Sequence, residues 1–196
     1  MSPRTPSGIT LPADRSDPEW EGDKGEDAPT DETVLGLGLL KNNDFLALLD
    51  RGISAYPGSV ALLDALTAPG TTTRVAVVSS SKNARPVLTA AGLIDRFEVI
   101  VDGNVAAAEG LPGKPAPDTY SYGAELLGVP STGAVVVEDA TSGVAAGAAG
   151  DFGLVLGVDR GAGAQALKDA GADVVVADLA VLVDQLGTSD GSSAVR

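Results

Sequence analysis

Five short, valine-rich apolar runs alternate with segments of helical character along most of the chain. The runs are VAVVS at 75–79, FEVIV at 97–101, AVVVE at 134–138, GLVLGV at 153–158 and DVVVA at 173–177. Continuous apolar runs of this length are typical of strands that are covered on both faces. Since repeated strand–helix–strand units build parallel sheets, the alternation predicts an α/β fold with a doubly wound parallel sheet.

The segments between the runs are predicted to be helices. They lie near 83–91, 118–127, 142–149 and 163–170, and they end at Gly92, Gly128, Gly150 and Gly171. Glycine just past a helix is the usual left-handed cap. Upstream of the first run, Phe45, Leu46, Leu48 and Leu49 follow Asn42 and Asn43 at helical spacing and predict a helix that ends near Gly52.

The composition changes along the chain and indicates how it is organised. The first 32 residues contain five prolines and nine acidic residues against three basic ones, a composition that cannot bury a core. We therefore predict an irregular acidic segment at 1–32, a helical segment at 33–56, an α/β core at 57–186 and an irregular tail at 187–196.

Net charge and two missing residue types restrict the function. With 13 basic and 27 acidic residues the formal charge is −14, which argues against nucleic-acid or anionic-membrane partners. No apolar run approaches the roughly 18 residues of a membrane span, so we expect a soluble, cytoplasmic protein. The chain has no His and no Cys, which excludes histidine- and thiol-based catalysis. Phosphoryl transfer with a hard metal ion needs neither residue.

Three polar groups follow strands, and ligands bind at the carboxyl ends of strands in such sheets. The first is the segment Ser79–Asn83, where hydroxyls and amides before a helix can hold an anion, or serines can simply cap the helix. The second is Lys114 in a proline-stiffened loop, followed by Asp118 as a possible cap; alternatively Lys114 is a solvated charge. The third is the pair Glu138 and Asp139.

Adjacent acids at the end of an apolar strand indicate a bound cation. Two carboxylates close together repel each other, which raises the pKa of one of them, and a bound Mg²⁺ offsets this repulsion. The alternative is that Asp139 caps the next helix while Glu138 is solvated. Taken together, a phosphate cradle, a lysine and an acidic pair at one edge favour phosphoryl transfer.

The segments VAVVSSSKN, GKPAPDTY and VVVEDATSGVAAGAAG resemble, in this order and spacing, motifs two, three and four of the haloacid dehalogenase superfamily. They are most similar to its β-phosphoglucomutase-like branch, over about residues 33–185. The segment LLKNNDF followed by YPGSVALLDAL is similar to the end of that branch's helical cap, so residues 33–56 would be a cap remnant.

The resemblance implies roles for the polar residues. Ser79 would bind the transferring phosphoryl group, and Lys114 would stabilise the phosphate and the nucleophile. Glu138 and Asp139 would hold Mg²⁺.

The same resemblance implies contacts to the rest of a phosphosugar substrate. Ser81 and Asn83 would bind a distal phosphate, and Lys41 would reach the substrate from the cap remnant.

The chain departs from the family in one respect. The family nucleophile is the first Asp of an Asp-x-Asp-Gly motif, and this chain contains no Asp-x-Asp; Asp102-Gly103 follows a strand but lies between motifs two and three and has no second acid. One hypothesis is a sugar-phosphate phosphatase or mutase polypeptide that lacks its N-terminal part through truncation, a late start or gene degradation. The other is a non-catalytic phosphate- or phosphosugar-binding pseudo-enzyme or scaffold.

In the family, the nucleophile strand lies between the strands that carry motifs two and four. We therefore expect the strands at 75–79 and 134–138 either to pair directly or to leave an open slot. Insertion of residues 1–32 is the least favoured outcome, because the segment has five prolines and no Val/Ile/Leu run.

Overall fold

The computed structural model describes residues 28–31, 33–49 and 51–187. They belong to two compact units that divide between Gly52 and Ile53, and each unit is described by itself. Most of the acidic segment predicted at 1–32, and all of the predicted tail beyond residue 187, lie outside the described residues.

The described part of the first unit contains one long helix, α1 (Val34–Leu49). The hydroxyl of Thr33 accepts a hydrogen bond from the amide of Gly36 at 2.9 Å, which satisfies one of the free amides at the start of the helix. The helix begins well before Asn42, where the sequence pattern placed its start.

The second unit begins with α2 (Pro57–Leu66) and then alternates strands with helices. In chain order these are β1 (Ala76–Val78), α3 (Ala84–Ala90), β2 (Val99–Val101), α4 (Gly103–Ala108), α5 (Asp118–Leu126), β3 (Val135–Glu138), α6 (Thr141–Ala149), β4 (Leu154–Val158), α7 (Ala164–Asp169), β5 (Val174–Val176) and α8 (Ala180–Gly187). All five valine-rich runs contain a strand, as predicted. The short helix α4 was not predicted.

Every strand pair is parallel, which confirms the predicted α/β class. β1 pairs with β2, with Val77 opposite Ile100, while β3 pairs with β4 and β4 with β5. The described strands form two sheets, of two and three strands, and β1 does not pair with β3. The expectation of direct pairing between these strands is therefore wrong.

Helices cover both faces of the three-stranded sheet. On one face Leu156 and Val158 of β4 pack with Leu62 of α2 and with Leu179, the residue before α8. On the other face Val155 packs with side chains of α6 and α7, among them Val144 and Leu167. Coverage on both faces is the doubly wound arrangement that the valine-rich runs predicted.

Helix α5 connects the two sheets. It packs on β1 and β2, and a Cβ at Gly123 would lie only 3.0 Å from the side chain of Val78. Near its start, Tyr120 forms a buried cluster with Val136 of β3 and Ala146 of α6, and Val78 packs against the same cluster. The carboxyl ends of β1 and β3 are thereby held by one helix.

Part of one face of β3 is exposed to solvent, since Val135 and Val137 are 56% and 44% exposed. Among the described strands β3 has one hydrogen-bonded neighbour, β4. The open slot, the other expected outcome, stays a prediction, because most of residues 1–32, the segment that could insert there, lies outside the described residues.

The predicted glycine caps are confirmed at three of four helix ends. Gly92, Gly128 and Gly171 have φ values of +67°, +70° and +108°. Gly150 is the exception, with φ −107°, and the left-handed residue there is Asp151 at φ +50°. Gly150 is instead a site of close approach, since a Cβ would lie 2.9 Å from Cβ of Pro117.

Within the ranges that the structure describes, no helix is both long enough and apolar enough to cross a bilayer.

Candidate active site

The loop that follows β1, residues Ser79–Asn83, is folded by its own serines. The hydroxyl of Ser79 accepts a hydrogen bond from the amide of Ser81 at 3.2 Å, and the hydroxyl of Ser81 accepts one from the amide of Asn83 at 3.1 Å. A hydroxyl that accepts such a bond keeps its own proton for donation. The loop therefore presents two hydroxyl donors at the carboxyl end of β1.

The alternative that these serines cap the next helix is only partly correct. The N-cap residue of α3 is Asn83, whose side chain makes no capping bond. The Ser81 hydroxyl binds the amide of that residue and not an amide inside the helix.

Lys114 is buried and paired, which contradicts its interpretation as a solvated charge. Its ammonium donates to Oε1 of Glu138, and the two side chains are only 9% and 14% exposed. The ammonium also lies 4.5 Å from the centre of the Tyr120 ring. Such a contact with a ring face stabilises a cation. The loop therefore places Lys114 at the end of β3, next to Glu138 and Asp139.

Glu138 receives hydrogen bonds on both of its carboxylate oxygens. Besides Lys114, Oε1 accepts from the hydroxyl of Tyr120 at 2.9 Å. Oε2 accepts from the amides of Asp139 at 2.9 Å and Ala140 at 3.1 Å. A carboxylate offers about four acceptor positions, so these donors use all of them. The alternative that Glu138 is solvated is wrong.

This environment determines the ionisation of the acid and its neighbour. Burial opposes the charge on Glu138, but the hydrogen bond and charge of Lys114, together with the Ala140 amide, outweigh it and lower the pKa of Glu138. Burial and then the Glu138 carboxylate raise the pKa of Tyr120. Tyr120 is therefore a neutral phenol that donates to an ionised carboxylate.

A glycine provides the space for the Glu138 side chain. A Cβ at Gly143 of α6 would overlap the carboxylate and would lie 2.6 Å from Cγ of Glu138. Neither Gly143 nor Tyr120 was assigned a role from the sequence. Tyr120 stands in the quoted GKPAPDTY segment, six residues after Lys114, and this position was the signal that could have identified it.

Asp139 is more exposed to solvent than Glu138. Its side chain is 47% exposed, and Nη1 of Arg160 lies 3.7 Å from its Oδ2. Arg160 also donates to the hydroxyl of Ser59 at 2.7 Å and stacks over the ring of Tyr56. A cleft of about 260 Å³ opens here, lined by Ser59, Val137, Glu138, Asp139, Val158, Arg160 and Leu179.

Two predicted helix caps are wrong. Asp139 does not cap α6, whose N-cap residue is Ala140 with no side-chain bond. Asp118 does not cap α5 either, because it is the first helical residue and Pro117 occupies the cap position.

The donor set fits a magnesium ion held by one carboxylate. Mg²⁺ in proteins commonly takes one or two carboxylates and completes its shell with water and substrate phosphate. Asp139 has oxygens to offer, whereas Glu138 would have to release a donor to bind the ion directly. Over the described ranges, no group of three or more acidic side chains offers a denser site.

The predicted site residues fall into three places. Lys114, Glu138 and Asp139 lie together at the end of β3. Ser79, Ser81 and Asn83 lie in the loop after β1, and Val78, directly before Ser79, packs against the Tyr120 cluster that borders Glu138. Lys41 lies exposed on α1, in the first unit.

Comparison with known proteins identifies the family. A family model described as haloacid dehalogenase-like hydrolase matches residues 12–151. A β-phosphoglucomutase of Mycobacterium bovis is 52% identical over 163 residues, which cover 81% of this chain and 61% of that protein. The chain thus spans about three fifths of the length of this relative.

Two solved structures share the fold. A β-phosphoglucomutase of Clostridium difficile superposes with a TM-score of 0.65 at 27% identity, over 78% of this chain and 64% of that one. CbbY of Rhodobacter sphaeroides, solved in complex with phosphate, superposes with a TM-score of 0.63 at 26% identity. The superposition covers 83% of this chain and 71% of CbbY. A mutant of CbbY was solved with xylulose-(1,5)bisphosphate. The chain belongs to the haloacid dehalogenase-like hydrolases, in their β-phosphoglucomutase-like branch.

Proposed function

We propose that this chain carries the phosphate- and magnesium-binding part of a phosphoryl-transfer site for a sugar phosphate, of the phosphatase or β-phosphoglucomutase type. The observation that carries the proposal is the buried Lys114 at the end of β3. Its ammonium has three protons, and its hydrogen-bond partner among the described residues is Glu138. The remaining protons are available to an anion beside Asp139.

The transferring phosphoryl group would bind between Ser79 and Lys114. The Ser79 hydroxyl accepts from the loop backbone and keeps its proton for a phosphate oxygen. Lys114 supplies positive charge, which stabilises the charge that develops during transfer. Glu138 holds the lysine in place.

A distal phosphate of the substrate would bind Ser81 and Asn83, and Lys41 of α1 is kept as a further candidate substrate contact on the family resemblance alone. These assignments rest on the family resemblance and on the hydroxyl donor at Ser81. Phosphate and a sugar bisphosphate bind CbbY, the relative solved with each, which supports a phosphosugar as the ligand class.

Mg²⁺ would bind Asp139 directly, with Glu138 beside it as the carboxylate that positions Lys114. Bound there, the ion would neutralise charge on a phosphate oxygen. The proposed partners of the chain are therefore a phosphosugar or phosphate and Mg²⁺.

Turnover also needs a nucleophile, and the chain has no Asp-x-Asp pair. We propose that the 196 residues by themselves bind phosphate without hydrolysing its esters. This observation also favours the second candidate function, a non-catalytic phosphosugar-binding protein.

Titration calorimetry with inorganic phosphate, with and without Mg²⁺, tests the proposal. We expect the wild-type chain to bind phosphate, and Ser79→Ala to bind it roughly ten- to a hundredfold more weakly, since one hydrogen bond to a charged group contributes about 1.5–3 kcal/mol. Ser131→Ala is the matched control, because Ser131 precedes β3 at the opposite end of that strand. No binding by the wild-type chain, or equal binding by Ser79→Ala, would overturn the proposal.

A further inference from the structure

We infer that Asn104, together with Gly103, positions the phosphate-binding loop Ser79–Asn83 through the loop's main-chain carbonyls. The inference rests on the function proposed for that loop. It concerns two residues of the unpredicted helix α4, which neither the strand pattern nor the quoted motifs include.

Three hydrogen bonds attach the loop to the junction between β2 and α4. The amide of Ser79 donates to the carbonyl of Val101 at 2.9 Å, and the amide of Gly103 donates to the carbonyl of Ser81 at 3.1 Å. The side-chain amide of Asn104 donates to the carbonyl of Lys82 at 3.0 Å. The loop is thus held at its beginning, middle and end from one side.

Gly103 allows this close approach. A Cβ at residue 103 would lie 2.6 Å from the carbonyl oxygen of Ser80 and 3.1 Å from the amide nitrogen of Lys82. Both are backbone atoms, which cannot move aside as a flexible side chain can. The contact between the two segments therefore requires glycine.

A buried carboxylate fixes Asn104 itself. Asp102 is 1% exposed, and its Oδ1 accepts from the amides of Asn104 and Val105, both at 2.9 Å. Its Oδ2 lies 3.5 Å from Nε of Arg85. Since Arg85 belongs to α3, the helix that follows the loop, Asp102 connects the support at α4 to the far end of the loop.

The direction of these bonds matters for ligand binding. The carbonyl and the following amide of a trans peptide point in opposite directions. When the Lys82 carbonyl faces Asn104, the Asn83 amide faces away from it, and that amide donates to the hydroxyl of Ser81. Asn104 thereby orients Ser81 without touching the ligand.

The test compares Asn104→Ala and Asn104→Asp with the wild-type chain by amide NMR and by inorganic phosphate titration. Aspartate has the same shape but cannot donate from its ionised side chain. We expect both variants to shift the amide resonances of Ser81 and Asn83, and to bind phosphate about three- to tenfold more weakly. Gln165→Ala, which removes an exposed side-chain amide bonded to Asp169, is the matched control and should do neither.

The outcomes separate the two claims. If the wild-type chain binds phosphate and both Asn104 variants bind it equally well, the positioning role is wrong and the proposed function stands. Changes in amide resonances spread over the whole core would indicate a general loss of structure in the Asn104 variants, and would also overturn the positioning role. If the wild-type chain binds no phosphate, the proposed function fails and this inference fails with it.

Discussion

Glu138 organises the candidate site more than any other single residue described. Its carboxylate binds the Lys114 ammonium, the Tyr120 hydroxyl and two backbone amides. Because the amide of Asp139 is one of these donors, the same carboxylate also fixes the backbone at Asp139. The structure thus shows Glu138 supporting a lysine and a second acid, and its role as a metal ligand stays a prediction.

Replacing this carboxylate should change how stability depends on pH. The pKa of Glu138 is lowered below its usual 4.5 in the folded chain. The ionised form therefore stabilises the fold above about pH 4.5, and this contribution is lost as the pH falls through the lowered pKa. We expect Glu138→Gln to unfold about 1.5–3 kcal/mol more easily at pH 7, with a smaller further loss on acidification than the wild type shows.

Urea unfolding at pH 7 and at several values below 4.5 measures this effect. Glu125→Gln, at an exposed position of α5, is the control and should stay within about 0.5 kcal/mol of the wild type. Parallel pH profiles for Glu138→Gln and the wild type would show that the carboxylate is not stabilised by its partners.

Among the secondary-structure elements, the approach of α6 to β3 decides whether Glu138 can reach its partners. A Cβ at Gly147 would lie 3.1 Å from side-chain atoms of Val136 and of Val155. Gly143 leaves room for the side chain of Glu138. Small residues on this face of α6 therefore set the distance between helix and sheet.

A methyl group at one of these glycines should disrupt the site. We expect Gly143→Ala to displace the Glu138 carboxylate and to cost about 1–3 kcal/mol of stability, as is usual when a packed contact is overfilled. Gly38→Ala in α1 is the matched control, since a Cβ there meets nothing within 4 Å. That change should be neutral or stabilising by up to about 1 kcal/mol.

Thermal or urea unfolding of the two variants provides the comparison. A Gly143→Ala chain as stable as Gly38→Ala, with Lys114 still protected from chemical modification, would contradict the packing described for α6.

The strands were predictable because β-branched residues dominate most of them, as in VVVE of β3 and VVV of β5. Helix α4 was missed because its GNVAAA sequence carries almost no periodicity, and it depends on the buried side chain of Asp102 for its cap. The left-handed conformation of Asp151 was not predicted, because glycine is the usual residue in that conformation after a helix and Gly150 directly precedes Asp151.

In the candidate site, residue types were predictable and partners were not. The sequence indicated that Lys114 and Glu138 have functional roles. It did not reveal that they pair, because the two residues are 24 positions apart and meet only through the packing of Tyr120 of α5 against β3. Tertiary packing likewise determines which donors bind the Glu138 carboxylate and brings Arg160 to Asp139.

In the whole second unit, two parallel sheets stand side by side and α5 connects them. β1 ends at the hydroxyl loop and β3 ends at the acidic pair, and these strands do not pair with each other. Val135 and Val137 are exposed on one face of β3. The groups proposed to bind phosphate and Mg²⁺ thus lie at strand ends on either side of an unpaired edge.

Binding and turnover can be tested separately in this chain, because the groups proposed to bind phosphate are present while the sequence contains no Asp-x-Asp pair. Loss of a nucleophile typically lowers rates by several orders of magnitude, roughly 10⁴–10⁶ in covalent enzymes. A chain that binds phosphate through Ser79 and Lys114 should therefore leave phosphate esters intact.

The decisive measurement is hydrolysis of a generic aryl phosphate by the purified 196-residue chain with saturating Mg²⁺. We expect a rate that is indistinguishable from that of the same preparation carrying Lys114→Ala. Robust Mg²⁺-dependent hydrolysis that Lys114→Ala abolishes would contradict the account, and would place a nucleophile within this chain, with Asp102 and Asp139 the first carboxylates to replace.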